Sequence, residues 1–248
     1  EGKQVMANIG KTQSRGIEVT LNTRNIVTKD FFWETSLTYT KYKDRWKERT
    51  PDWKPNVYEK ETDPIRAIYS RRADHIMQIG EEAPTAQPDL RPGQIVIKDL
   101  DGYVRDENGN PKVDENGRFM LLGRPDGIID EADTELIGTL DPGWMASMTN
   151  TFKYKGFDLN IMFNGMFDRI MQDPTEMDFG VNGGGNAPSR YNMLRTIKDR
   201  WTFDNPSTTR PSSYYITGTN YTAGDFFYQK AWFIRLQNIS LGYTLPKS

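Results

Sequence analysis

The sequence predicts an all-β fold, an antiparallel segment of a transmembrane β-barrel with long extracellular loops, and three observations carry that expectation. Apolar and polar residues alternate with a period of two along five stretches of the chain. Aromatic residues, 12% of the chain, gather in and at the ends of those stretches. The connections are grossly unequal, so that every long loop falls at one end of the strands and every short turn at the other.

Taken in order, the first strand is expected over about 15–24, where Ile17, Val19 and Leu21 oppose Glu18 and Thr20. The second, over about 31–42, sets Trp33, Leu37 and Tyr39 against Glu34, Ser36 and Thr38. Residues 143–155 and 156–168 read as a hairpin, in which Phe157, Leu159, Ile161 and Phe163 alternate with Asp158, Asn160 and Asn164. Gly156 supplies the positive φ of its tight turn. The fifth strand is expected over 229–246, where the apolar register shifts between Ile234/Leu236 and Ile239/Leu241/Tyr243. A β-bulge near Gln237-Asn238 accounts for the shift.

Between these strands lie a loop of about 100 residues, 43–142, and another of about 60, 169–228, lengths uncommon in a compact soluble domain and expected on one side of an outer-membrane barrel. Strands with one apolar and one polar face, tipped by Trp33, Tyr39, Trp144, Tyr154, Trp232 and Tyr243, suit lipid outside and water inside. Periodicity alone fits a soluble β-sandwich equally well; the loop asymmetry favours the barrel. Asn150 interrupts the apolar face. Five strands cannot close, and an open edge in hydrocarbon leaves backbone groups unpaired, so further strands are expected from a longer polypeptide, with residues 1–248 as its C-terminal part.

Bulk composition removes several classes. The chain has 32 basic and 34 acidic side chains, a net charge of -2, which gives no whole-molecule grip on nucleic acid. With no cysteine there are no disulfides, zinc ribbons or thiol nucleophiles. No apolar run approaches the roughly 20 residues of a spanning helix. The chain opens at Glu1, and an export signal upstream is expected.

Four segments resemble the SusC/RagA family of TonB-dependent outer-membrane transporters. Asn8-Ile9-Gly10-Lys11 through Ser14-Arg15-Gly16-Ile17-Glu18 is similar to the family's strand entry. Pro64 to Tyr69 with Asp74 to Glu82 resembles a family loop, with His75 where a Gly is usual. Arg91-Pro92-Gly93-Gln94-Ile95 leads into Lys98-Asp99-Leu100-Asp101-Gly102, and Phe233 to Pro246 resembles the pattern F-L-R-L-[KR]-N-[IV]-[TS]-L-G-Y-[TS]-L-P. The resemblance implies a barrel of about 22 strands with an N-terminal plug. It also implies location in the bacterial outer membrane, energy from the TonB complex through an N-terminal region absent from this chain, a SusD-like surface lipoprotein as partner, and glycans or peptides as cargo.

Two constellations carry candidate chemistry. Asp99 and Asp101, joined across an insertion to Asp126, Asp130 and Asp133, follow the ligand order of an EF-hand loop with Gly127 at the turn. Calcium is the natural candidate; a solvated acidic turn without metal fits equally. The insertion carries Asp106-Glu107-Asn108-Gly109 and Asp114-Glu115-Asn116-Gly117, which predict a small β-meander with type I′ turns. Loop aromatics Trp46, Trp53, Tyr58, Tyr69, Trp201, Tyr214, Tyr215 and Tyr221 can offer flat faces to sugar rings or peptide side chains, or pack the loops together. Gly183-Gly184-Gly185 lacks the context of a phosphate cradle and reads as a loop tip.

The main alternative is a soluble β-rich carbohydrate-binding or surface-adhesion domain. A glycosidase fragment is the third reading, carried only by acid pairs such as Glu81/Glu82, and His75 as the sole histidine leaves little for a Ser-His triad. The expectation is a transporter segment and not an enzyme.

Overall fold

The computed structural model describes residues 10–115, 117–181, 192–213 and 223–246. Asn8, Ile9, Asn116, Gly183 to Gly185, Tyr214, Tyr215 and Tyr221 lie outside the described residues. Eleven strands follow in chain order among the described residues: β1 Lys11–Val27, β2 Phe31–Glu48, β3 Ala67–Arg71, β4 Ala73–Ile76, β5 Ile95–Ile97, β6 Thr134–Thr139, β7 Trp144–Tyr154, β8 Phe157–Phe167, β9 Ile170–Gln172, β10 Tyr228–Lys230 and β11 Phe233–Tyr243.

The main sheet is an antiparallel meander in the order β1-β2-β7-β8-β11. Thr28 closes the first turn by accepting from the Phe31 amide at 2.9 Å through its hydroxyl. At the β7–β8 turn both Lys155 (φ 46) and Gly156 (φ 88) are left-handed, as a two-residue type I′ hairpin requires. Residues 49–143 and 168–232 connect the strands at the opposite end. Both long excursions therefore leave from one rim.

Strand pairing aligns the alternation of each strand with that of its neighbour. Directly paired residues share a face, so Leu21, Leu37, Met148, Phe163 and Leu236 form one row across the sheet. Nearer the short turns, Ile26, Trp33, Phe152, Leu159 and Leu241 form another. The opposite face carries Thr20, Thr38, Ser147, Asn164 and Arg235 in register, followed by Arg24, Glu34, Thr151, Asn160 and Ser240. A bulge at Gln237, where pairing jumps from Leu236 to Asn238, keeps Ile239 and Leu241 on the apolar face.

This apolar face is open. Leu241 is 72% exposed, Ile17 67% and Ile234 64%, where a soluble sandwich would bury them against a second sheet. Two aromatic belts bound the face. Tyr39, Trp144, Phe167 and Trp232 line the long-loop side, with Trp144 and Phe167 stacked at 3.8 Å. Phe31, Tyr154, Phe157 and Tyr243 line the short-turn side, with Phe157 and Tyr243 4.4 Å apart. Strands β7, β8 and β11 are 11 residues each, which matches the roughly 9–11 residues a tilted strand needs to cross a bilayer.

A polar row enters the apolar face over β1, β2 and β7 and gives way to Ile161 and Ile239 in β8 and β11, and its groups satisfy one another. Asn150 Oδ1 accepts from Trp33 Nε1 at 3.0 Å and from Thr35 Oγ1 at 2.7 Å, while Asn25 Nδ2 donates to Thr35 Oγ1 at 2.7 Å. Asn25 reaches this row because β1 bulges between Arg24 and Ile26. Its hydrogen bonds remove most of the cost of placing Asn150 in an apolar layer.

Several expected boundaries move. The first two strands span Lys11–Val27 and Phe31–Glu48, beyond 15–24 and 31–42: toward Lys11 and Glu48 the backbone ladder continues where both faces are largely polar, and toward Val27 it continues through the bulge that pairs Ile26 with Trp33. The stretch 229–246 splits: β10 pairs with β9, and only β11 enters the main sheet.

A face test follows. In the full-length protein refolded into lipid vesicles, Met148→Arg, midway between the belts, should destabilise the barrel by about 2–4 kcal/mol, whereas Ser147→Arg on the polar face should cost less than about 1 kcal/mol. Denaturant unfolding measures both, and equal penalties would contradict the face assignment.

Candidate functional site

The two long loops fold into one body at the rim of the sheet. Ile76, Ile95 and Ile97 from the first loop pack with Val181, Trp201 and Phe227 from the second, and this cluster is the buried core among the described residues. Asp225 ties the loops together: its carboxylate accepts from the Ala73 amide and from Arg72 Nη1, both at 2.8 Å. Arg72 also pairs with Glu135, and this bracing raises its pKa, chiefly through the Glu135 contact.

Arg91-Pro92-Gly93-Gln94 is a turn closed by Gln94 N to Arg91 O at 3.0 Å. Gly93 has φ +91, and a Cβ there would lie 2.5 Å from the Trp201 ring. Only glycine allows both the turn and the close approach of the indole. Trp201 is 4% exposed and has its faces packed, so it serves the loop core and offers no face to a solute. Its indole donates to Gln78 Oε1 at 3.4 Å.

The aromatic residues proposed for cargo divide further. Tyr58 and Tyr69 lie 5.1 Å apart, and the Tyr69 hydroxyl donates to Asp63 Oδ2 at 2.7 Å. Burial, together with that carboxylate, pushes the Tyr69 phenol well above its ordinary value. Trp46 and Trp53 sandwich Arg49, whose guanidinium carbon sits 4.9 and 4.4 Å from the two ring centres. Arg49 Nε is buried without a hydrogen-bond partner among the described residues. An open cleft of about 630 Å³ borders this trio, with Glu61 and Gln13 on its walls. Pairing of Thr12 with Trp46 and of Gly16 with Tyr42 puts Trp46 on the polar, lumen-side face of β2. Sequence reasoning missed Arg49; the W-x-x-R-x-x-x-W spacing from Trp46 to Trp53 is the signal that could have found it.

The acidic residues come together in one loop pair. Asp133, fully buried, accepts from the Leu100 amide at 2.7 Å and the Asp130 amide at 2.8 Å. Burial pushes its pKa up against those bonds. Asp99 accepts from the Gly127 amide at 2.7 Å, and Asp101 from the Gly123 amide at 2.7 Å. Asp126 packs against the Cα of Gly102 and accepts from Ile128 N at 3.0 Å. Asp130 caps the helical turn Glu131–Asp133 and faces Arg105 Nη2 at 3.6 Å. These carboxylates grip loop amides, and among the described residues no three or more acidic or imidazole side chains converge as a metal cluster.

The insertion forms the expected meander, bridged at Tyr103–Leu121, Arg105–Pro111 and Val113–Phe119. Its first turn is not type I′. Gly109 alone is left-handed (φ +82), with Gly109 N donating to Asp106 O at 3.0 Å and Asp106 N to Asn110 O at 2.9 Å. This is a three-residue loop with the glycine at the αL position; an I′ turn needs positive φ at Asn108 as well. His75 stands in β4, opposite Val96. Its ring bridges Asp74 at 2.9 Å and Glu81 at 3.2 Å, and the Asp74 contact first, then Glu81, raises its pKa.

A sheet with one lipid-suited face, two aromatic belts and all long loops at one rim defines a segment of an outer-membrane β-barrel wall with its loop cap. Comparison with known proteins specifies the kind. The chain is 25% identical over 97% of its length to TonB-dependent receptor P3 of Formosa agariphila, and 24% identical over 97% to TonB-dependent receptor SusC of Bacteroides thetaiotaomicron. It superposes on the structure of the RagAB peptide transporter with a TM-score of 0.64 at 18% identity, over 96% of its length. No family model matches the chain. The chain is thus similar to TonB-dependent receptors of the SusC and RagA type, and the outer membrane is its location. It spans 22% and 21% of the length of those two relatives and 24% of the solved chain.

Proposed function

We propose that this chain forms part of the wall, lumen and extracellular loops of a TonB-dependent importer of glycans or peptides, acting with a SusD-like surface lipoprotein. The observation that carries the proposal is the open apolar face bounded by two aromatic belts, with the loops co-folded at one rim. Similarity to SusC and to the RagAB peptide transporter along nearly the whole chain supports it. The exposure of Ile17, Leu241 and Ile234 disfavours a soluble carbohydrate-binding or adhesion domain.

Within that importer, the cleft beside Trp46, Arg49 and Trp53 is the proposed cargo-facing element. Its two indoles and one guanidinium suit sugar rings as well as peptide aromatic or acidic side chains. Tyr58 and Tyr69 face each other nearby in the same loop; Trp201 has no such role. Removing one stacking ring costs about 0.5–1.5 kcal/mol, or roughly two- to tenfold in affinity. In the native host, deleting the full gene should abolish growth on the cognate glycan or peptide. Trp46→Ala and Trp53→Ala in the full-length protein should weaken uptake by that factor at unchanged surface abundance. Persistent uptake in the deletion strain would defeat the importer reading; normal uptake in both variants would defeat only the cleft.

Calcium at Asp99, Asp101, Asp126, Asp130 and Asp133 is a second proposal. Five carboxylates in one loop pair suit a hard cation that draws them together on binding, and Arg105 is the only basic group paired with these carboxylates among the described residues. Bound calcium would relieve their mutual repulsion. Millimolar calcium should slow proteolysis between 99 and 133 in the full-length protein, and Asp126→Asn should remove that protection. Identical cleavage with calcium and with chelator would leave these carboxylates as amide acceptors alone.

A further inference from the structure

The outer face of β2 changes chemistry within one strand step. Leu37 and Tyr39 lie on the apolar face, paired with Leu21 and Val19. The next residues on that same face are Lys41, Lys43 and Arg45, paired with Ile17, Arg15 and Gln13. No bulge interrupts β2 here, so register puts all three on the lipid-side face; Lys41 and Lys43 line the groove on that side, and Arg45 lies between it and the Trp46 cleft. Strand geometry puts Lys41 about 7 Å and Lys43 about 13 Å along the strand beyond Tyr39, or roughly 5–10 Å above the aromatic belt at a tilt of about 45°. That is the height of lipid headgroups.

Pairing of β2 with β7 ends at Thr40–Met145, so above the belt β2 keeps only β1 and an isolated bridge from Arg45 to Pro64, which leaves a groove of about 990 Å³ beside it. Trp144 and Trp232 form its floor, and Lys230 and Arg169 stand across from β2. Five basic side chains line this groove against three acidic ones, Asp44, Asp141 and Asp168. Asp141 is already paired with Arg66 at 3.1 Å, and Asp44 belongs to the opposite face of β2, paired with Ser14. None of Lys41, Lys43, Arg45 or Lys230 makes an ion pair with a described residue, and Arg45 Nη1 is buried without a hydrogen-bond partner among them. Unneutralised cations grouped above an indole floor are complementary to a phosphate held at an acyl-chain boundary.

We infer that this groove binds the phosphorylated headgroup of a lipid in the leaflet on the long-loop side, with Lys41, Lys43 and Arg45 holding the phosphate and Trp144 and Trp232 resting on the upper acyl chains. The inference depends on the barrel reading above. It adds a lipid contact on the outer wall, because strand register puts Lys41 and Lys43 on the face of β2 opposite Trp46, while Arg45 borders both the groove and the Trp46 cleft.

The test uses the full-length protein in detergent, analysed by native mass spectrometry with phosphatidic acid as probe and phosphatidylcholine as the zwitterionic control. The wild-type protein should retain phosphatidic acid in preference to phosphatidylcholine. Lys41→Gln, Lys43→Gln and Arg45→Gln combined should weaken that retention roughly tenfold or more. Three loop changes, Lys112→Gln, Arg118→Gln and Lys198→Gln, should leave it unchanged. Equal loss in both triple variants, equal retention of the two lipids, or displacement of phosphatidic acid by millimolar inorganic phosphate would each overturn the lipid assignment. Failure of the full-length protein to enter bilayers would overturn the barrel reading and this inference with it. A folded triple variant, shown by unchanged resistance to denaturation in cold detergent, separates lost lipid from lost fold.

Discussion

The wall depends on one constraint: five strands must hold their side-chain alternation in the same register, so that their apolar residues fall on one face of the sheet and the polar row at Asn150 is matched by partners on that face. A slip of one residue in a single pairing would carry a column of polar groups into hydrocarbon. Two of the sheet's register shifts serve this constraint. The bulge at Gln237 returns Ile239 and Leu241 to the face occupied by Ile234 and Leu236. The irregularity between Arg24 and Ile26 does the same for Ile26 and lets Asn25 join the hydrogen bonds that satisfy Asn150. Where the constraint ends, above Tyr39, the same face turns basic, which marks the edge of the apolar layer as clearly as the aromatic belts do.

The second organising element lies at the rim. The long loops carry the buried core that the sheet lacks, with Ile76, Ile95, Ile97, Val181, Trp201 and Phe227 as its centre. A barrel wall needs no core of its own, since lipid solvates one face and the lumen the other. Loops that must present a fixed surface do need one, because ordering so long a chain is costly without buried contacts. Gly93 under Trp201 and Asp225 bracing Arg72 show how two segments far apart in the chain are fastened into one body.

The wall was legible in the sequence and the rim was not. Period-two alternation and the aromatic tips located all five wall strands, and the jump between Leu236 and Ile239 located the bulge. Strand ends above the belt were invisible because a ladder with two polar faces leaves no hydrophobic period. The loop core was hidden for a different reason: its residues come from short β segments, a turn and an isolated Trp, with no repeat to connect them. Spacing therefore left open whether Trp201 faces a solute or packs the loops; the ring is buried. The Asn-Gly pair at Asn108-Gly109 signalled a hairpin correctly but not its turn type, which depends on whether one or two residues take positive φ. In the acidic loop the spacing of the carboxylates was visible; that Asp133, Asp99 and Asp101 each grip a distant amide was not.

The central claim is that the apolar face of this sheet is wetted by acyl chains. Because the chain has no cysteine, single cysteines can be placed at each position of Phe233 to Tyr243 in the full-length protein and spin-labelled in bilayers. Accessibility to oxygen should peak at Ile234, Leu236, Ile239, Leu241 and Tyr243, and accessibility to a water-soluble nickel reagent at the residues between them, with the phase shift at Gln237. A strand on which both reagents reach every position equally, or on which oxygen avoids Leu241, would contradict the account.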